Sequence, residues 1–402
     1  MDKRQKVVII GHGYTSRLAV IRSVAQIGCE ITVIVITGYK RVGKTLNTSK
    51  PIDCYSKYVS NVYYCAHKDE DLIQLLLDKC TDLHQKVVII PDSDFSAAVI
   101  DCNQERLKEK FLFPHIRHTQ GAVVEWMDKL KQKTLADEVG LNVASSVIIN
   151  VGNHQFDIPS NIHYPCFTKP LATLVGGKKI LKRCNNEKEL REVLGKAGCI
   201  ADMQVLVEDF KPIDTEYAVL GLSNGQQVII PGVIQILDLA HGGHFGVACR
   251  GKIIPIGGYE ELISKFKQFV LKIGYIGVFD IDFYESCGKM YFGELNLRIG
   301  GSMYAYTKMG VNLPGMLVKT LIGESIADMQ KKISNTATYV NERMLLDDWY
   351  GGYVSKDCML SFLNTSDIKF VYDNDDIGPQ KELNRIIWIT KFKKFVKRLI
   401  KK

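Results

Sequence analysis

Apolar and polar positions divide the chain into two regimes. From residue 6 to about 115, continuous apolar runs alternate with helical periods. KVVIIGHG (6–13) reads as a strand running into a glycine turn, and TSRLAVIRSVAQIG (15–28) as a helix closed by Gly28. ITVIVI (31–36), VYYC (62–65) and KVVIIPDSD (86–94) read as further strands, with DEDLIQLLLDKC (69–80) helical between the last two. Strands alternating with helices predict a parallel α/β unit. GAVVEWMDKLKQKTLADEVG (121–140) then reads as helical. Beyond it YPCFTKP, KKILKRC, MQVLVEDF, TEYAVLGLSNGQQVIIPG and GVIQILDL follow as closely spaced strands, with a hairpin turn at Asn224-Gly225 and one helix at 187–195. This is the pattern of an antiparallel α+β unit. A helix near 258–273, a hairpin over 277–302 and a helix from Pro314 complete it, and residues 326–380 show no clear period.

The hairpin GVFDIDFYESCGKMYFGELNLRIGGS (277–302) carries the densest chemistry. Phe279, Ile281 and Phe283 alternate with Asp280, Asp282 and Tyr284; past the turn, Glu294, Asn296 and Arg298 share a face opposite Tyr291, Leu295, Leu297 and Ile299. Centring the hairpin on Gly288 sets Asp282 opposite Glu294 and Asp280 opposite Asn296. Opposed residues have Cβ atoms about 5 Å apart. Two carboxylates that close repel unless a cation sits between them. Oxygen donors from Asp, Glu and Asn suit Mg²⁺, which completes its shell with phosphate and water.

GYKRVGKT (38–45) fits the phosphate-cradling P-loop pattern, so a P-loop nucleotidase is an alternative. That motif needs a helix starting at its Gly-Lys-Thr. Here Asn47, Thr48 and Ser49 are weak helix formers and Pro51 would break the second turn, so a polar loop is the better reading. GHGYTS (11–16) begins like a dinucleotide fingerprint, but Ser16 replaces the third glycine and the second strand ends without an acidic residue.

Composition narrows the classes further. The 402 residues are 46% apolar and 24% charged, an ordinary globular balance with no run near the ~20 residues a membrane span needs. Eleven cysteines without a C-x-x-C pair point to reduced thiols in a cytoplasmic protein. The net charge of +8 is concentrated: residues 381–402 hold nine Lys/Arg and one Glu. Taking these from 52 and 44 leaves 43 of each sign, which argues against a nucleic-acid surface on the folded body. In RIIWITKFKKFVKRLIKK (385–402), Ile389, Phe392, Val396 and Leu399 keep helical spacing among lysines, the pattern of a basic amphipathic helix able to lie on an anionic membrane, or to dock on the body.

ELNLRIGGS (294–302) strongly resembles the signature strand of the ATP-grasp superfamily, the fold of carboxylate–amine ligases, biotin carboxylase and carbamoyl-phosphate synthetase. The resemblance covers about residues 1–325. In overall layout it is similar to D-aspartate-ligase-like members. It implies a fold that is α/β plus α+β: a pre-ATP-grasp α/β domain over 1–115, then a two-lobed ATP-grasp domain over 116–325 with its small antiparallel lobe at about 160–235. An extension over 326–380 and the basic amphipathic segment 381–402 follow. By the same resemblance Asp282 and Glu294 bridge metal, Asn296 is the third ligand, and Arg298 steadies phosphate or the acyl intermediate. Lys129 and Lys169 hold the nucleotide phosphates. Gly176, Gly177 and Lys178 in TLVGGKK belong to the flap over the triphosphate. Glu208, Phe210 and Lys211 form the hinge that reads adenine, and Glu216 binds the ribose hydroxyls. The implied cofactors are ATP and Mg²⁺, or Mn²⁺ in its place. The implied reaction joins a small-molecule carboxylate to an amine through an acyl phosphate; carboxylation and carbamoyl-phosphate-type chemistry remain open. The acceptor is expected between the first domain and the metal face, near the GHGYT turn, the PDSD loop or LAHGGH (239–244). In that last segment His241 and His244 fit a flexible loop better than a metal pair.

Overall fold

A computed structural model describes residues 4–12, 15–37, 50–152, 156–171, 180–198, 203–241 and 247–400, with side chains as far as 389 in the last helix. Three sheets organise the chain. The first is parallel: β1 (Lys6–Gly11), β2 (Glu30–Thr37), β3 (Val59–Ala66), β4 (Val87–Pro91) and β5 (Phe111–Leu112), in the order β3-β2-β1-β4-β5. Val7, Ile9, Ile10, Val33, Ile34 and all of Val88–Ile90 are buried, as expected for central strands covered on both faces. The strand order reverses between β1 and β4, so a crevice opens at their carboxyl ends.

A short strand, β6 (His115–Ile116), leads out of this sheet and pairs with a later one. The segment 121–140, one helix by its period, divides into Ala122–Glu125 and Lys129–Glu138. Asp128 makes the break: its carboxylate accepts the N–H groups of Leu130 and Lys131 at 2.8 and 2.9 Å and restarts the helix.

The second sheet is antiparallel, in the order β7-β10-β8-β9. Its strands are β7 (Ser146–Val151), β8 (Cys166–Pro170), β9 (Lys182–Cys184) and β10 (Met203–Asp209). Helix Glu187–Gly198 lays Leu190, Val193, Leu194 and Ala197 on one face of it.

The third and largest sheet runs β16-β15-β11-β13-β14-β17-β18. It contains β11 (Thr215–Asn224), β12 (Val228–Ile229), β13 (Val233–Leu239), β14 (Ala248–Ile254), β15 (Tyr275–Ser286), β16 (Lys289–Asn296), β17 (Ala337–Val340) and β18 (Ile368–Lys369). The strands that follow one another from residue 164 to 239 therefore do not form one unit. Those up to Asp209 make the small sheet, and β11 to β13 belong to the large one. The segment without a clear period, 326–380, supplies β17, β18 and helices Glu342–Gly351 and Lys356–Thr365. Two buried polar contacts tie it down. Glu342 accepts the N–H groups of Phe370, Val371 and Tyr372, and Arg22 pairs with Asp376 at 2.9 Å.

The architecture is an N-terminal α/β unit followed by a two-lobed unit. One apolar core joins the first sheet to the large sheet, running from Ile9, Val33 and Val88 to Leu220, Val278, Met303 and Leu317. It fixes the β1/β4 crevice beside the hairpin β15–β16.

Candidate active site

The hairpin turn sets the geometry. Cys287 (φ 49°) and Gly288 (φ 72°) both have positive φ, the two-residue turn that matches strand twist, and Ser286 pairs with Lys289. This register holds through Phe283–Phe292 and then shifts by one. Gly293 is the extra residue, a bulge whose added Cβ would stand 2.8 Å from the Asp282 carbonyl oxygen. Beyond it Asp282 faces Glu294 and Asp280 faces Asn296. The acid pairing expected from the sequence is thus present, but through a tighter turn plus a bulge. Strict alternation put Tyr291 opposite the acids. The bulge instead pairs it with Tyr284, on the acid side, where the rings stack at 5.6 Å.

β11 extends this face, because Glu216, Ala218 and Leu220 lie opposite Tyr284, Asp282 and Asp280. Burial pushes the Asp282 carboxyl well up, and Asp280 and Glu294 push it further against the pull of Arg298. Asp280 is raised by burial too, and its Oδ1 is buried with no hydrogen-bond partner. Burial alone raises Glu216. Glu294 is the exception: burial pushes it up, but Lys129, Lys169 and Arg298 together hold it below the carboxylate range.

The cations arrive from three directions. Lys129, the first residue after the Asp128 cap, donates to Glu294 Oε2. Arg298 donates from Nε to Asp94 Oδ1 at 2.8 Å and from a terminal nitrogen to Asn296 Oδ1 at 3.4 Å. Asp94 opens helix Asp94–Cys102 directly after the β4 crevice, so this pair joins the first unit to the acid face. Lys169, at the end of β8, lies 2.9 Å from Glu208 Oε2, and Lys133 lies 2.6 Å from the other oxygen of Glu208.

Glu208 is therefore a buried counter-ion for two lysines, within reach of the crevice through Lys169. Phe210 already donates its backbone N–H to Pro165, and the Arg183 guanidinium stacks on its ring at 4.4 Å. Lys211 is half-buried on the connection from the small sheet to β11. Gly176, Gly177 and Lys178, the whole of residues 38–45, and His244 lie outside the described residues. His241 has Nδ1 at 3.5 Å from Asp348 Oδ2, far along the large sheet from the hairpin.

Sequence reasoning passed over three residues. Lys133 stands one helical turn after Lys129, a spacing that puts both on one face. Asp280 was visible in the alternation but not counted among the metal donors. Asp94 lies in the PDSD loop expected near the acceptor, but its pairing with Arg298, 204 positions away, left no trace in the local sequence.

Among the described residues no three His, Cys, Asp or Glu side chains form a closed metal cage. The hairpin offers a different donor set, two carboxylates and an amide, with the unpartnered Asp280 oxygen beside them. Crowded, electrostatically frustrated oxygens of this kind fit a hard divalent cation that takes further ligands from phosphate and water.

No family model matches the chain. The carbamoyl phosphate synthase large chain of Gemmatimonas aurantiaca is 23% identical over 206 residues, which is 50% of this chain and 19% of that protein. The chain thus spans about a fifth of the length of that relative. Among solved structures, the L-amino acid ligase from Bacillus licheniformis aligns over 84% of this chain and 79% of its own, at 16% identity and a TM-score of 0.61. The N5-carboxyaminoimidazole synthetase from Staphylococcus aureus aligns over 87% and 86%, at 16% identity and a TM-score of 0.63. The fold is ATP-grasp. Within an ATP-grasp fold the small sheet and the large sheet are the two lobes, and Lys169 on one is near enough to Glu294 on the other to help hold its carboxyl down.

Proposed function

We propose that the chain is an ATP-dependent carboxylate–amine ligase of the cytoplasm, forming an amide through an acyl phosphate and releasing ADP and phosphate. The observation that carries this reading is the pairing of Asp282 with Glu294, with Asn296 and Arg298 next along the same strand and Lys129 already on Glu294. On this reading residues 1–115 form the pre-ATP-grasp domain and 116–325 the ATP-grasp domain.

The reaction needs charge neutralised more than bonds made by the protein, because the transferring phosphoryl group spreads negative charge over its oxygens. Lys129 and Lys169 take the phosphates, Lys129 exchanging its Glu294 partner for them. Glu208 keeps Lys169 aimed into the gap. Arg298 holds the carboxylate or acyl group, anchored from behind by Asp94. Asp282, Glu294 and Asn296 would hold Mg²⁺ or Mn²⁺, which supplies Lewis-acid polarisation of the γ-phosphoryl group. Glu208, Phe210 and Lys211 line the adenine end, Glu216 takes the ribose, and the Gly176-Gly177-Lys178 flap excludes the water that would hydrolyse the acyl phosphate. The carboxylate attacks the γ-phosphorus and ADP leaves; the amine nitrogen then attacks the acyl carbon, phosphate leaves and the amine loses a proton. The carbamoyl phosphate synthase relatives favour a second reading, in which bicarbonate is the carboxylate and the product a carboxy- or carbamoyl phosphate.

An ADP-release screen of amino acids and sugar-linked carboxylates, each paired with amines and followed by product mass, tests both readings. A new amide mass supports the ligase, and bicarbonate-dependent release supports the second reading. Glu294→Ala is expected to abolish turnover with the fold intact; a near-normal rate in that variant refutes the assignment.

A further inference from the structure

Most of the segment that carries the chain's charge excess, 381–402, lies in one helix, Gly378–Ile400. Its first three turns are docked. Leu383 is 1% exposed, and Ile386 and Ile387 pack beside it on Val340, Leu345, Met359 and Val371. Tyr350 donates its hydroxyl to the Ile387 carbonyl. Positions 383, 386 and 387 mark the helix face turned to the body. A helix docked along its full length would repeat that stripe at 390, 394 and 397. The residues there are Thr390, Lys394 and Lys397, so the apolar stripe continued from Leu383 ends within one turn of Ile387.

The apolar positions of the second half follow another line. Phe392 is nine residues after Leu383, about half a turn out of phase at 3.6 residues per turn. By the same spacing Ile389, Val396 and Leu399 fall on the Phe392 side, opposite Leu383, and Trp388 stands at the changeover with 67% of its surface exposed. Lys391, Lys393, Lys394, Lys397 and Arg398 fill the remaining arc. The hydrophobic face of this helix thus changes sides midway. Its first half contributes to the protein's core, and in its second half the apolar positions fall, by helical spacing, on the face opposite Leu383.

We propose that the second half of this helix is a docking surface for an anionic lipid bilayer. An apolar stripe bearing tryptophan and phenylalanine, flanked by lysines, enters the interface between headgroups and acyl chains while the lysines meet anionic headgroups. No helix among the described residues is long and apolar enough to cross a membrane, so the contact is peripheral. A second copy of this chain would set lysines against lysines. A nucleic acid would use the charges but leave the apolar stripe in water. The proposal is independent of the ligase reading, because none of these residues lies at the acid face.

The test is co-sedimentation of the full chain with vesicles of phosphatidylcholine containing one quarter phosphatidylglycerol, and with phosphatidylcholine alone. Binding to the anionic vesicles and not to the neutral ones is expected, and removal of residues 390–402 should abolish it. Each surface-bound basic residue is worth roughly fivefold in partitioning, so Lys393→Glu with Lys394→Glu should weaken binding by more than about tenfold. Phe392→Ser with Val396→Ser keeps every charge and should also weaken it by about tenfold or more. Failure to bind anionic vesicles overturns the proposal, as does equal binding by the shortened chain. Unchanged binding by the serine variant overturns it as well, because it would show a generic polyanion contact.

Discussion

Lys133→Met isolates the buried charge bridge beneath the nucleotide lysines. Lys133 Nζ lies 2.6 Å from Glu208 Oε1 and donates to the Ala144 carbonyl at 2.9 Å, with the two charged side chains only 5% and 7% exposed. Removing one partner of a buried pair costs roughly 3–5 kcal/mol, most of it the penalty for the charge left behind. Lys169 remains on Glu208 at 2.9 Å and softens that penalty to its lower end. The Ala144 carbonyl loses its donor, roughly 1 kcal/mol more. The expected destabilisation is therefore about 3–4 kcal/mol, read from the urea midpoint at constant m-value. Lys133→Met with Glu208→Gln removes the stranded charge and should recover at least ~2 kcal/mol, a non-additivity that a merely steric role would not produce. The pH dependence follows the same logic. Burial pushes the Glu208 carboxyl up, but Lys169 and Lys133 outweigh it and hold it below its ordinary 4.5. Its stabilisation is complete above that value and is lost as pH falls through the lower folded-state value. Without Lys133 the loss begins at a higher pH. The Michaelis constant for ATP should also rise, since Glu208 then holds Lys169 alone. A cost below ~1 kcal/mol, or an additive double variant, refutes the reasoning.

The acid face gives the opposite sign. Asp282→Asn should abolish ATP turnover and yet raise the melting temperature at pH 7. A carboxyl raised in the folded state costs stability at pH values above its ordinary 3.8, and the cost shrinks as pH falls toward that value, so the natural protein should gain on the variant as pH is lowered; calorimetry at pH 7 and at acid pH checks this. Gly293→Ala drives a Cβ to 2.8 Å from the Asp282 carbonyl and should cost roughly 1–3 kcal/mol, with weaker MgATP binding seen by titration calorimetry. Lys169→Ala should remove binding of a fluorescent ATP analogue while Lys44→Ala leaves it unchanged; the reverse result would return the nucleotide to residues 38–45.

Elements with an unbroken period were legible in the sequence, and contacts between distant elements were not. The three central parallel strands and the helix over 260–273 announce themselves because burial is continuous or strictly periodic along them. Residues 326–380 gave no period because β17 and β18 are short strands at the far end of the large sheet, held by the Glu342 carboxylate and the Arg22–Asp376 pair rather than by an amphipathic face of their own. The hairpin shows how a reading can reach the right pairing by an incomplete route. Counting back from Gly288 set Asp282 against Glu294, yet the turn is one step tighter and Gly293 restores the difference. Alternation alone cannot see a bulge, but a glycine one residue before an acid in an otherwise bulky strand is its trace.

That bulge also accounts for the site's charge balance. Inserting one residue bends the strand just where the acids meet, and Asp280, Asp282 and Glu294 are crowded on one face. Lys129 can answer only Glu294, and Arg298 is shared with Asp94 from the other unit. Burial is the first cause of the raised Asp280 and Asp282 carboxyls, and repulsion from the neighbouring acids adds to it, while the Oδ1 atom of Asp280 stays without a partner. A structural ion-pair network would be expected to balance itself, since an uncompensated buried charge is costly. On the proposed ligase reading, a cation arriving with the nucleotide would relieve this crowding. The same crowding makes the stability gain in Asp282→Asn and the loss of turnover two consequences of one cause.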